Sequence, residues 1–101
     1  MKMGVLSNLR DYQVKSNRES GNGRLDIIVR SRDVSKAPVI MELKVSETYK
    51  GMVSACNAAL KQIEERGYDS WLPEEGYTEV LLYGIAFFRK QCRIRLRRKK
   101  F

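Results

Sequence analysis

Asp26, Glu42 and Lys44 are the residues whose types and spacing can do chemistry. Asp26 sits inside the apolar run "LDIIV" and Glu42 inside "VIMEL", with Lys44 two positions further on. A carboxylate within a buried strand must be paired, hydrated or bound to a cation, because burying it bare is too costly. Two such carboxylates offer the hard oxygen ligands that magnesium or manganese takes. A cation beside a lysine is an arrangement that cleaves phosphodiesters. The metal polarises the phosphoryl oxygen and lowers the pKa of a bound water. The lysine orients that water or stabilises charge on the phosphorane. The plainer alternatives are a Glu42–Lys44 pair on a solvated sheet face and an Asp26 that caps a turn at the start of its strand.

Other chemistries are excluded by composition. The chain has no histidine and two widely separated cysteines, Cys56 and Cys92, with no CxxC. A zinc site needs more soft ligands than this. Serine and cysteine nucleophile systems that rely on histidine are ruled out for the chain alone. The two thiols are expected to be reduced and largely buried. The N-terminus has no apolar h-region and no run approaches a membrane span, so a cytoplasmic protein is the default.

The net charge of +8 is concentrated at one end. Residues 89–101 carry eight basic residues and no acid, whereas residues 1–88 hold twelve of each sign. Such a block can bind phosphate backbones or other anionic surfaces, or remain a solvated tail.

The elements that must position these groups fit one small domain of 101 residues. Leu6 to Val14 reads as a weak helix, and "SNRESGNGR" as a loop or tight turn. "RLDIIVR" and "VIMELKV" read as two strands joined by a polar connection ending in proline, which suggests an antiparallel hairpin. The hairpin brings Asp26 and Glu42 together at one edge of the sheet, away from the connecting loop. Glu42 and Lys44, two apart, project from the same face.

From Ser46 the period changes. Met52, Ala55, Cys56, Ala59, Leu60 and Ile63 mark one apolar helix face, with Ser46 or Thr48 as N-cap and Gly67 as the stop. The alanines allow that helix to lie close to a sheet. "DSWLPEEGYT" is a linker anchored by Trp71 and Leu72, and "EVLLYGIAFF" an apolar strand buried on both faces. After a turn at "RKQ", "CRIRLRR" alternates. Cys92, Ile94 and Leu96 face one way, and Arg93, Arg95 and Arg97 form a cationic face on the other. These three arginines are candidate contacts to nucleic-acid phosphates. The order is helix, strand, strand, helix, strand, strand, which predicts a mixed sheet with helices packed on it.

Asp26, then fifteen residues, then "ELK" resembles the D…(D/E)-x-K signature of the PD-(D/E)XK nuclease superfamily. The wider string "KSNRESGNGRLDI…APVIMELKVS…ALKQIEERGY…YGIAF" is similar to the nuclease-like domain at the C-terminus of bacterial AAA-ATPase-like proteins. The likeness covers roughly residues 12 to 90. It implies an α/β, restriction-endonuclease-like fold, a mixed four-stranded sheet flanked by helices in the order αβββαβ. It further implies Asp26 and Glu42 as ligands of Mg²⁺ or Mn²⁺, Lys44 as the catalytic lysine, and Glu19 as an extra ligand or water-orienting acid. Gln62 matches the residue on the following helix that approaches the site in some branches. The signature's proline before the aspartate is Leu25 here.

What the resemblance implies is a magnesium-dependent nuclease acting on DNA. The alternative is a non-catalytic module that binds nucleic acid or docks protein. An ATPase-like domain is expected to precede this one in a full-length protein. A homodimer through an exposed edge strand or uncovered apolar face is a further expected partner.

Overall fold

The computed structural model describes residues 12–19 and 24–101, with backbone alone at 17–19 and 24. Strands β1 (Tyr12–Glu19), β2 (Arg24–Ser31) and β3 (Val39–Val45) precede helix α1 (Met52–Glu65). A short helix α2 (Tyr68–Trp71), a 3₁₀ turn (Pro73–Glu75) and strands β4 (Glu79–Phe88) and β5 (Gln91–Lys100) follow. The five strands form one sheet in the order β1-β2-β3-β4-β5. Among these described strands only β3 and β4 are parallel; the other neighbours are antiparallel. A parallel pair needs a crossover, and α1 supplies it.

Three expectations change here. Among the described residues the sheet has five strands, not four. Tyr12–Glu19 is a strand, so the predicted helix does not extend through Val14 and the predicted loop does not begin at Ser16. Residues 6–11 of that helix lie outside the described residues. The strand missing from a two-strand reading is therefore β1, ahead of the Asp26 strand, which brings three strands before α1 as the αβββαβ order implies. β1 escapes apolar patterning because it is an edge strand: its one aliphatic residue, Val14, is 64% exposed.

The β2–β3 connection closes on Asp33, whose carboxylate accepts from the Ser35 amide and hydroxyl at 3.0 and 2.7 Å. The Tyr77 hydroxyl donates to the Ser31 carbonyl at 2.6 Å and ties this end of β2 to the β4 entry. At the start of α1 the cap is Gly51, not Ser46 or Thr48. Thr48 Oγ1 instead accepts from the Gly51 amide at 2.9 Å, and Ser46 Oγ donates to the Thr48 carbonyl at 2.7 Å. Gly67, at φ 73, ends the helix region as expected.

α1 lies on one face of the sheet. Its Met52, Cys56, Ala59, Leu60 and Ile63 are buried. Leu60 and Ile63 join Ile40, Leu72, Val80 and Leu82 in the main core. The closest approach is at Gly84, where an added Cβ would stand 2.4 Å from the Cys56 carbonyl oxygen and 3.0 Å from Leu60 Cγ. Only glycine fits that contact. On the other face, Leu25, Ile27, Met41, Leu43 and Tyr83 are half-buried, Ile94 and Leu96 are exposed, and none of the described helices packs there. β4 is thus buried along its helix side from Val80 to Ala86, while on its open face Ile85 is buried and Leu81, Tyr83 and Phe87 are half-buried. Cys56 is buried but Cys92 is exposed on this open side, against expectation. No described helix is long and apolar enough to cross a membrane.

Candidate active site

The register of the central strands builds the site. Asp26 is the direct partner of Glu42 across β2–β3, and Arg24 the partner of Lys44. Across β3–β4, Glu42 pairs with Gly84 and Lys44 with Ala86. Paired residues share a sheet face, so Asp26, Glu42 and Lys44 all lie on the side covered by α1. The carboxylates meet on the interior strands β2 and β3, not at an edge of the sheet, and on the half of the hairpin remote from its loop. Asp26 is 8% exposed and Glu42 fully buried; Lys44, nearer the strand end, is half-buried.

Adjacent buried carboxylates repel one another and lose hydration, so the pair calls for a neighbouring cation or a retained proton. Here that cation is Arg66. Its Nη1 donates to Asp26 Oδ2, and its Nη2 lies 3.5 Å from Glu42 Oε1. Arg66 is the C-cap residue of α1, where the helix dipole favours positive charge. The sequence reading missed it. Its one signal is a position four after Gln62, hence on the same helix side.

Gln62 is partly buried on α1. Glu64 reaches outward to β5 through Arg97, and Gln62, two residues earlier, is turned about 200° from it around the helix, toward the β3 side. Its Oε1 is buried with no hydrogen-bond partner among the described residues, as is Asp26 Oδ1. Glu19 ends β1 opposite Arg24; its side chain lies outside the described residues.

These groups fit a hard divalent cation. No cluster of three or more His, Cys, Asp or Glu side chains occurs among the described residues. Magnesium, however, is commonly held by one or two carboxylates while keeping several waters. Asp26 and Glu42 supply the two charges, and the unsatisfied Asp26 Oδ1 and Gln62 Oε1 are oxygens of the right kind.

Beside Asp26 opens a cavity of about 390 Å³ lined by Lys15, Ser16, Asp26, Ile28 and Arg66. A second, of about 530 Å³, shares Lys15 and Ile28 and runs on to Arg30 and Trp71. The Arg30 guanidinium stands 5.3 Å over the Trp71 ring and pairs with Glu75 at 2.7 Å. Together the two hollows make a groove along β1 and β2 that ends at Asp26.

Arg93, Arg95 and Arg97 do not join this cluster. They pair with Ala86, Gly84 and Leu82, so they lie on the α1 side of the sheet but beyond the helix from Asp26. Arg95 donates to Asn57 Oδ1 at 2.6 Å, and Arg97 to both Glu64 oxygens at 2.9 and 2.6 Å. The Arg93 guanidinium sits 5.9 Å over the Tyr49 ring. The predicted cationic row exists, with α1 between it and the carboxylates.

No curated protein and no solved structure gives a significant match to this chain. A family profile does: it spans residues 2–96, nearly the whole chain, and includes Asp26, Glu42 and Lys44. With a mixed sheet that sets an aspartate directly against the glutamate of an E-x-K triplet, the chain belongs to the PD-(D/E)XK nuclease superfamily.

Proposed function

We propose that this nuclease-like domain hydrolyses DNA phosphodiesters with the help of magnesium or manganese. The observation that carries the reading is the Asp26–Glu42 register pair, buried on the sheet face that α1 packs against, with Lys44 on the same face. Asp26 and Glu42 would hold the cation, with Gln62 offering a neutral oxygen at its margin. When bound, such a cation polarises a phosphoryl oxygen and lowers the pKa of a coordinated water. Lys44, a point charge on a flexible stem, orients the attacking water and balances negative charge growing on the phosphorus oxygens. Lys15 and Arg30 line the groove that leads to Asp26 and suit the phosphates of an incoming strand. These contacts would read shape and phosphate rather than base edges. The wider sequence likeness supports a setting at the C-terminus of an AAA-ATPase-like protein.

The test is cleavage of plasmid and linear DNA with Mg²⁺ or Mn²⁺ by wild type and by Lys44→Ala. The reading expects activity in the first and a loss of at least about a hundredfold in the second, as for other charge-stabilising groups. Equal behaviour of the two proteins would sink it. One observation favours the second reading, a module that binds without cutting: Arg66 already neutralises part of the carboxylate pair.

A further inference from the structure

We propose that Arg66 is a built-in competitor for the divalent cation, holding the carboxylates in the metal-free protein and moving off them when the cation enters. The inference rests on the metal-dependent reading above and adds a residue and a coupling to it.

Four features separate Arg66 from an ordinary structural ion pair. First, its two nitrogens go to two different carboxylates, Asp26 and Glu42, so one positive charge is set against two negative ones. A divalent cation matches that charge better. Second, the pairing leaves Asp26 Oδ1 without a hydrogen-bond partner among the described residues. A permanent arginine clamp would be expected to use both oxygens of one carboxylate in a fork. Third, Arg66 is partly open to solvent. It lies just past the last residue of α1, before Gly67 in the left-handed region, and its side chain is 38% exposed. Fourth, it has somewhere to go. The cavity of about 390 Å³ beside it is lined by Arg66 itself, Asp26, Lys15 and Ser16.

Asp26 Oδ2 and Glu42 Oε1 cannot serve a guanidinium and a cation at once. Metal affinity is therefore lowered by the fraction of molecules in which Arg66 is on the carboxylates. Once displaced, Arg66 remains tethered beside Lys15 at the end of the groove. Its planar fork suits a phosphate, so the residue that resists the cation in the free protein becomes a phosphate contact when both cation and strand are present.

The test is Mn²⁺ titration by calorimetry without nucleic acid, on wild type, Arg66→Gln, Arg66→Lys and, as a control at the far edge of the sheet, Arg98→Gln. Arg66→Gln should bind Mn²⁺ about tenfold more tightly or better, the factor expected when a competitor occupies about nine molecules in ten. Arg66→Lys, which cannot span both carboxylates, should fall between, and Arg98→Gln should match wild type. A companion thermal-unfolding series covers a variant that folds poorly without metal. Arg66→Gln should melt below wild type in chelator and close the gap as Mn²⁺ rises. Mn²⁺ affinity equal to or weaker than wild type, a gap that stays constant with Mn²⁺, or no binding by either protein would overturn the proposal. Tighter binding by Arg66→Gln in a protein that never cuts DNA would uphold it and remove the nuclease reading alone.

Discussion

Glu42 stands beside Gly84 across the parallel β3–β4 pair, and the missing side chain at Gly84 is what lets α1 come down over the carboxylate. The Cys56 carbonyl occupies the space a Cβ would need, 2.4 Å away. That backbone contact cannot yield as a flexible side chain would. Gly84→Ala must lift or shift α1, at a cost of about 1 to 3 kcal/mol, as for other overpacked sites. Urea unfolding reads the loss directly. Because α1 also carries Gln62 and ends at Arg66, the same variant should reopen the site to water. An alanine variant as stable as wild type would mean that the helix does not rest on this glycine.

The Arg66 contacts predict a coupling measurable in chelator, apart from any activity. Removing one partner of a buried ion pair costs about 3 to 5 kcal/mol. With the Arg66 side chain 38% exposed, solvent screening reduces that to about 1 to 2 kcal/mol for Arg66→Gln. Asp26→Asn removes one of the charges left behind, so the double variant should lose less than the two single losses together. A coupling of about 1 kcal/mol is expected for directly paired groups. Strict additivity would show that the guanidinium and the carboxylate do not interact in solution.

What could be read ahead of the structure follows from the range of each interaction. Asp26 and Glu42 were legible because an acid inside an apolar strand is a local contradiction, and because a hairpin fixes its own register. The period-two arginines of β5 and the apolar face of α1 were legible for the same local reason. β1 was not, since an exposed edge strand such as "YQVKSNRE" needs no apolar alternation. Arg66 was hidden in "EERG", where charges at a helix end read as solvated. Its role depends on α1 crossing the sheet toward β2, a long-range consequence of the close contact at Gly84. The Glu19 side chain and residues 6–11 fall outside what the structure describes.

Tyr68 gives the fold a dependence on alkaline pH. The residue is 3% exposed and its hydroxyl has no hydrogen-bond partner among the described residues. Burial, helped by the negative charges of Glu64 and Asp69, pushes its phenol up to about 12. The native state therefore keeps a proton that the unfolded chain loses above about pH 10. Stability must fall as pH rises from about 10 toward 12, by about 1 kcal/mol per unit at most for one proton. Tyr68→Phe should be neutral or stabilising by about 1 kcal/mol at pH 7, since it deletes an unsatisfied hydroxyl. Its advantage over wild type should widen between pH 9 and 11 (urea midpoints, about pH 7 to 11). Parallel stability curves for the two proteins would show that the hydroxyl is not held protonated by the fold.

The arginine row of β5 makes the last prediction. If Arg93, Arg95 and Arg97 contact DNA phosphates, each contact releases condensed counterions, and log K falls with log salt by about 0.9 per phosphate neutralised. Replacing all three with glutamine should weaken binding at low salt and lower the slope by about 2 to 3. Arg97 is held by both oxygens of Glu64 at 2.9 and 2.6 Å, so DNA has to compete with an internal carboxylate for it. Glu64→Gln removes that competitor along with a negative charge on the same surface, and should tighten binding at low salt while leaving the site residues in place. The measurement is fluorescence anisotropy on a short labelled duplex across a salt series, in Ca²⁺ to limit cleavage. A slope unchanged in the triple variant would assign the charge excess of this strand to another partner and leave DNA contact to Lys15 and Arg30 in the groove beside Asp26.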